Sequence, residues 1–231
     1  MKHYLVIGGS SGIGHAITQQ LALEGATVYA SYRKNKRENK PGINYFFLDV
    51  LEPLPDLSFL PEILDGLVYC PGNISLKPFA RISPQDFQFD YQLQVLGAVT
   101  IIQRVLPHLK ASLSSSLILF STVAVQTGFN FHSLVASSKG AVEGLTRSLA
   151  AELAPTVRVN CIAPSVTDTS LAAGLLNTPE KRDSAAQRHP LKKIGTAAGI
   201  AASACFLLGE QSGWITGQVI HIDGGMSSIK I

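Results

Sequence analysis

The chain has 231 residues, long for one domain and short for two, with 46% hydrophobic and 15% charged residues. An α/β domain of this length buries a full two-sided sheet, so one domain spanning 1–231 is expected. A net charge of +3 is too small for a nucleic-acid surface, and no apolar run reaches the length of a membrane span.

The first residues, MKHYLVIGG, run straight into an apolar segment and a glycine loop, without the cleavage site of a signal peptide. Cys70, Cys161 and Cys205 stand isolated among apolar residues, with no metal-ligand spacing. They read as free thiols in a reducing compartment, so a cytoplasmic protein without a metal is expected.

Taken in chain order, short apolar runs at 3–7, 27–31, 45–50, 66–70, 117–121, 157–162 and 218–222 are the expected strands. Near-continuous apolar runs suit strands covered on both faces of a parallel sheet. Between them, Ile13, Ile17 and Leu21 mark one helical face. Tyr91, Val95, Val99, Ile102 and Leu106 mark a second, and Val142, Leu145, Leu149 and Leu153 a third. The alternation predicts an α/β Rossmann fold, a doubly wound parallel sheet of about seven strands with helices on both faces. Residues 34–43 and 51–63 are too short and too rich in proline or charge for full crossover helices. Residues 167–190, polar and rich in small side chains, follow a strand at the carboxyl edge, where a substrate lid is expected.

The strongest local motif is LVIGGSSGIG, residues 5–14. A strand leads into Gly8, then Ser10, Ser11, Gly12, Ile13 and Gly14 open a helix. Glycines there permit a tight turn and let backbone amides approach a pyrophosphate, whose charge the helix N-terminus stabilises.

The spacing G-x-x-x-G-x-G resembles the short-chain dehydrogenase/reductase family, of the 3-oxoacyl-acyl-carrier-protein reductase type, and further motifs follow at matching intervals. Asp49 and Val50 end the third run, where the family places an Asp near adenine. CPGN, with Gly72, stands at the family's N-N-A-G. VRVNCIAPSVTDT matches the family's strand and its P-G-x-x-x-T turn around the nicotinamide through Pro164, Ser165, Val166 and Thr169, with Ser165 in place of glycine. WITGQVIHIDGG resembles the closing strand, so the resemblance covers essentially the whole chain.

The resemblance implies a nicotinamide cofactor, and the residues after the second run choose between its two forms. Family members that prefer NAD place an Asp there. This chain reads Ser31, Tyr32, Arg33, Lys34, with no carboxylate to repel a 2′-phosphate and with Arg33 able to clamp one. NADP(H) is therefore expected in preference to NAD(H), with Lys36, Arg37 and Lys40 left as a solvated basic loop.

The family's active site uses an asparagine, a serine, a tyrosine and a lysine. Lys139 matches the lysine, which also binds the cofactor ribose. Thr122 stands for the serine and Gln94 for the asparagine. The tyrosine position is Val135, which cannot donate a proton. His132, seven residues before Lys139, is the candidate substitute acid, at the interval where enoyl-thioester reductases of the family carry their tyrosine. Tyr69 and Tyr91 read better as packing residues.

Two functions fit. One is an oxidoreductase with an atypical site, passing hydride to a carbonyl or conjugated double bond of a small-molecule substrate. The other is a catalytically impaired nucleotide-binding subunit or sensor of the same fold. The apolar stripes of 84–110 and 133–153 also predict a homodimer or homotetramer.

Overall fold

The computed structural model describes residues 1–53 and 55–230; Leu54 and Ile231, inside the expected 1–231 domain, lie outside the described residues. Seven parallel strands form one sheet: β1 (His3–Ile7), β2 (Thr27–Tyr32), β3 (Ile43–Phe47), β4 (Gly66–Tyr69), β5 (Ser115–Phe120), β6 (Val157–Pro164) and β9 (Val219–Ile222). Their order is β3-β2-β1-β4-β5-β6-β9. The short strands β7 (Thr167–Asp168) and β8 (Gly195–Thr196) pair beside it.

Successive side chains of a strand face opposite ways, so each apolar run feeds two cores. On one face Val6, Val28, Val68 and Ile118 meet α1 (Gly12–Leu23) and α7 (Ala197–Leu208) through Ile17, Leu21, Ile200 and Ala204. On the other, Leu5, Leu67, Leu117 and Val159 meet α3 (Gly97–Lys110) and α5 (Ser133–Leu153) through Ile101, Val105, Val142 and Leu153. Strand order reverses between β1 and β4, and at such a switch point the flanking loops diverge to leave a crevice at the carboxyl edge.

The helix expected over 84–110 is not continuous. It comprises α2 (Pro84–Tyr91), a π-helical turn at Gln92–Leu96, and α3. The Gly97 amide reaches back to the Gln92 carbonyl, and the Leu93 carbonyl accepts instead from the Tyr69 hydroxyl at 2.6 Å. Only glycine fits at 97, since a Cβ would come within 2.4 Å of that hydroxyl oxygen. The inserted residue rotates the faces on either side relative to each other. The buried stripe is therefore Val95, Ala98, Ile101, Ile102, Val105 and Leu109, and Tyr91 is exposed. Strand β3 also stops at Phe47, leaving Asp49 and Val50 beyond its end. Among the described residues the remaining α-helices are α4 (Ala124–Thr127) and α6 (Pro179–Gln187).

Candidate active site

The turn from β1 into α1 builds one wall of a cavity of about 500 Å³. Gly8 and Gly12 have φ of +76° and +53°, a region costly for other residues. A Cβ on Gly14 would stand 2.4 Å from the Gly8 carbonyl oxygen, so the turn closes only with glycine there. Ser11 is the N-cap of α1, but its side chain accepts no bond from the helix, and the first turn carries no acidic residue. Exposed helix-start amides and a glycine cradle are the features a bound pyrophosphate requires, so the residues fit a dinucleotide.

The structure gathers Gly8, Ser10, Ser11, Gly12, Ile13, Gly14, Arg33, Asp49, Val50, Gly72 and Thr169 around this cavity. Ser31, at the end of β2, accepts the Gly8 amide through its hydroxyl at 2.9 Å, fastening the turn to the next strand. Arg33 lies 3.9 Å from the Asp49 carboxylate, a half-exposed pair. Arg37 is exposed with the rest of the basic loop, and its guanidinium also donates to the Ser10 carbonyl at 2.6 Å, bringing a second cation over the glycine turn.

A second cavity, of about 510 Å³, shares Ile13, Cys70, Gly72, Thr169 and Leu171 with the first. Gln94, Thr122, His132, Val135, Lys139, Pro164, Ser165 and Val166 all border it. Elsewhere its wall is largely apolar, as at Ile74, Phe129 and Leu175. Among the bordering residues, the cationic side chains are Lys139 and Arg188, and no carboxylate is present.

Lys139 and Val135 stand one turn apart on α5, so they share a face. Both are buried, and burial lowers the Lys139 pKa to about 8, with Cys161, Asp90 and Cys70 opposing that shift. Gln94 reaches the same place from the π turn. Its oxygen comes within 3.5 Å, and the Lys139 nitrogen within 3.8 Å, of the point a Cβ on Gly72 would occupy. His132 caps the start of α5. Its Nδ1 donates to the Asn130 carbonyl at 2.8 Å and its ring packs against Phe129.

Two further groups carry no sequence motif. Asp90, on α2 and 1% exposed, accepts from Gln94 Nε2 at 2.7 Å and from the Ser138 hydroxyl at 2.6 Å. His189, also buried, donates from Nδ1 to the Ala185 carbonyl at 2.7 Å. Its Nε2 is left to accept from the Ser165 hydroxyl at 2.8 Å. Asp90 stands in a glutamine-rich stretch between Phe89 and Tyr91, where no sequence signal marks it as buried.

Residues 61–227 match the family model described as Enoyl-(Acyl carrier protein) reductase. The chain belongs to the short-chain dehydrogenase/reductase family. That is a family of oxidoreductases. A tropinone reductase homolog of Arabidopsis thaliana is 32% identical over 96% of this chain and 92% of its own length. The 3-oxoacyl-(acyl-carrier-protein) reductase of Thermotoga maritima is 31% identical over 97% of each. Among solved structures, a variant of ElxO with NADPH bound superposes with a TM-score of 0.86 at 25% identity, covering 99% of each chain. Ligand-free aldohexose dehydrogenase of Thermoplasma acidophilum gives 0.88 at 24% identity over 100% of this chain and 96% of its own, a likeness of fold alone. No helix of the described residues is long and apolar enough to cross a membrane.

Proposed function

We propose that this family member is an NADP(H)-dependent reductase of small apolar carbonyl or conjugated enone-type substrates, working without the family's tyrosine. The observation that carries the reading is the continuity of the two cavities, which meet at Ile13, Gly72 and Thr169. One is lined by the glycine turn and Arg33, the other by Lys139 and Thr122.

The first turn of α1 and Gly8, Ser10, Ser11, Gly12, Ile13 and Gly14 would hold the pyrophosphate, and Asp49 and Val50 the adenine side. Arg33 would meet the 2′-phosphate. Its half-exposed pairing with Asp49 is weak enough to be exchanged for a phosphate at little cost. Gly72, Pro164, Ser165, Val166 and Thr169 would flank the nicotinamide, and Lys139 its ribose. When bound in reduced form, the cofactor supplies a hydride. Thr122 keeps the hydroxyl that would polarise a substrate oxygen, Gln94 ends beside Lys139 near Gly72, and His132, the candidate substitute acid, borders the same cavity.

The chain would act as one domain, with 167–190 as its lid, where α6 is tied to the end of β6 through His189 and Ser165. Exposed Phe89, Tyr91 and Leu96 along 84–110 favour a homodimer or homotetramer. Val135 favours one competing reading, a subunit that binds the nucleotide without turnover. A screen of NADPH oxidation against ketones, quinones and enoyl thioesters decides between them. Turnover of one class supports the reductase. Tight NADPH binding with no turnover of any class supports the binding subunit.

A further inference from the structure

We propose that Lys139 is itself the proton donor of the reduction, its ammonium meeting the substrate through the space that Val135 leaves open. The inference rests on the reductase reading above. In place of a phenol, the position one turn before Lys139 presents only a short apolar side chain, itself part of the cavity wall. No side chain longer than valine at that position screens the lysine nitrogen from a substrate.

The described surroundings leave the ammonium without an ion-pair partner. The Asp90 carboxylate accepts from the Gln94 side-chain nitrogen at 2.7 Å, which sets that amide with its nitrogen inward. The Gln94 oxygen is thereby turned to the Gly72 side, where the lysine nitrogen also ends, and that oxygen is buried without a partner. Among the described residues no carboxylate forms an ion pair with Lys139.

The titratable groups facing it are Cys161 on β6, Asp90 on α2 and Cys70 after β4. Glu143 lies farther along α5, bonded to Ser121, and His132 borders the same cavity. Burial pushes both thiols up to about 12. Desolvation lowers the lysine, and Cys161, Asp90 and Cys70 oppose it, in that order. With a pKa of about 8, the ammonium has the strength a general acid needs near neutral pH. A threonine hydroxyl is far too weak an acid for the task, which leaves Thr122 as a polarising donor.

A reduced nicotinamide bound beside Lys139 would supply the hydride, and the electron pair displaced in the substrate would move to the carbonyl oxygen or to the carbon α to it. One Nζ–H bond of Lys139 breaks as the new O–H or C–H bond forms, and the electron pair stays on nitrogen. The neutral amine then regains a proton from water.

The test uses the full chain at saturating NADPH. Wild-type kcat should be flat below about pH 7 and fall roughly tenfold per pH unit above about 8, because the protonated lysine is the active form. In protein labelled with ¹³C at the lysine ε-carbon, one lysine should titrate near that same pH. Lys139→Arg keeps the positive charge but cannot release a proton. It should bind NADPH and turn over at least ~100-fold more slowly. Lys139→Ala should recover at least about tenfold with ethylammonium and not with tetramethylammonium, which has no proton to give. A kcat independent of pH from 6 to 9, a fully active arginine variant, or equal rescue by both cations would overturn the proposal. Wild-type protein that binds NADPH but turns over no acceptor would instead overturn the reductase reading beneath it.

Discussion

Gln94 donates its side-chain amide to Asp90 at 2.7 Å, and the two residues are each 1% exposed. The Ser138 hydroxyl reaches the same carboxylate oxygen from α5. One carboxylate thus joins α2, the π turn and α5 beside the candidate site. Asp90→Leu would strand two buried donors, each costing about 1–3 kcal/mol. Urea unfolding should show a loss of about 2–5 kcal/mol, with much of it recovered when Gln94→Leu and Ser138→Ala are added. A loss below about 0.5 kcal/mol would mean that the network is not a structural tie.

A Cβ at position 14 would press on the backbone of Gly8, where no flexible side chain can give way. Gly14→Ala should open the turn and displace the amides that face the crevice. NADPH affinity, followed by fluorescence titration, should drop by more than about tenfold while thermal unfolding stays cooperative. Unchanged affinity would place the nucleotide elsewhere.

Much of this was legible in the sequence because it is local. The glycine turn, the apolar runs of β1 and β6, and the interval from Val135 to Lys139 are all short-range patterns. The π turn at Gln92–Leu96 was not, because its cause is a hydroxyl more than twenty residues upstream, on Tyr69. A 3.6-residue period read through that turn assigns Tyr91 to a face it does not share. Arg37 looked like an ordinary member of a basic loop for the same reason, since its partner, the Ser10 carbonyl, lies on another element. His189 and Asp90 are likewise explained by partners brought close only by the fold.

Val135→Tyr should return a phenol to the family's position beside Lys139. Positioned acid catalysis contributes ~10²–10⁴-fold, so ketone reduction should rise by a part of that range, limited by how well the cavity admits the ring. Steady-state kinetics with a simple ketone would show the gain in kcat rather than in KM. A variant that folds, binds NADPH and gains nothing would show that proton delivery does not limit the wild type.

The most direct test of the account is titration calorimetry with NADPH and NADH on the wild type and on Arg33→Ala. A charge-assisted hydrogen bond contributes about 1.5–3 kcal/mol, so NADPH should bind at least about tenfold more tightly than NADH. Arg33→Ala should erase most of that difference and leave NADH binding nearly unchanged. Equal affinities in the wild type, or a preference that survives the loss of Arg33, would contradict the assignment.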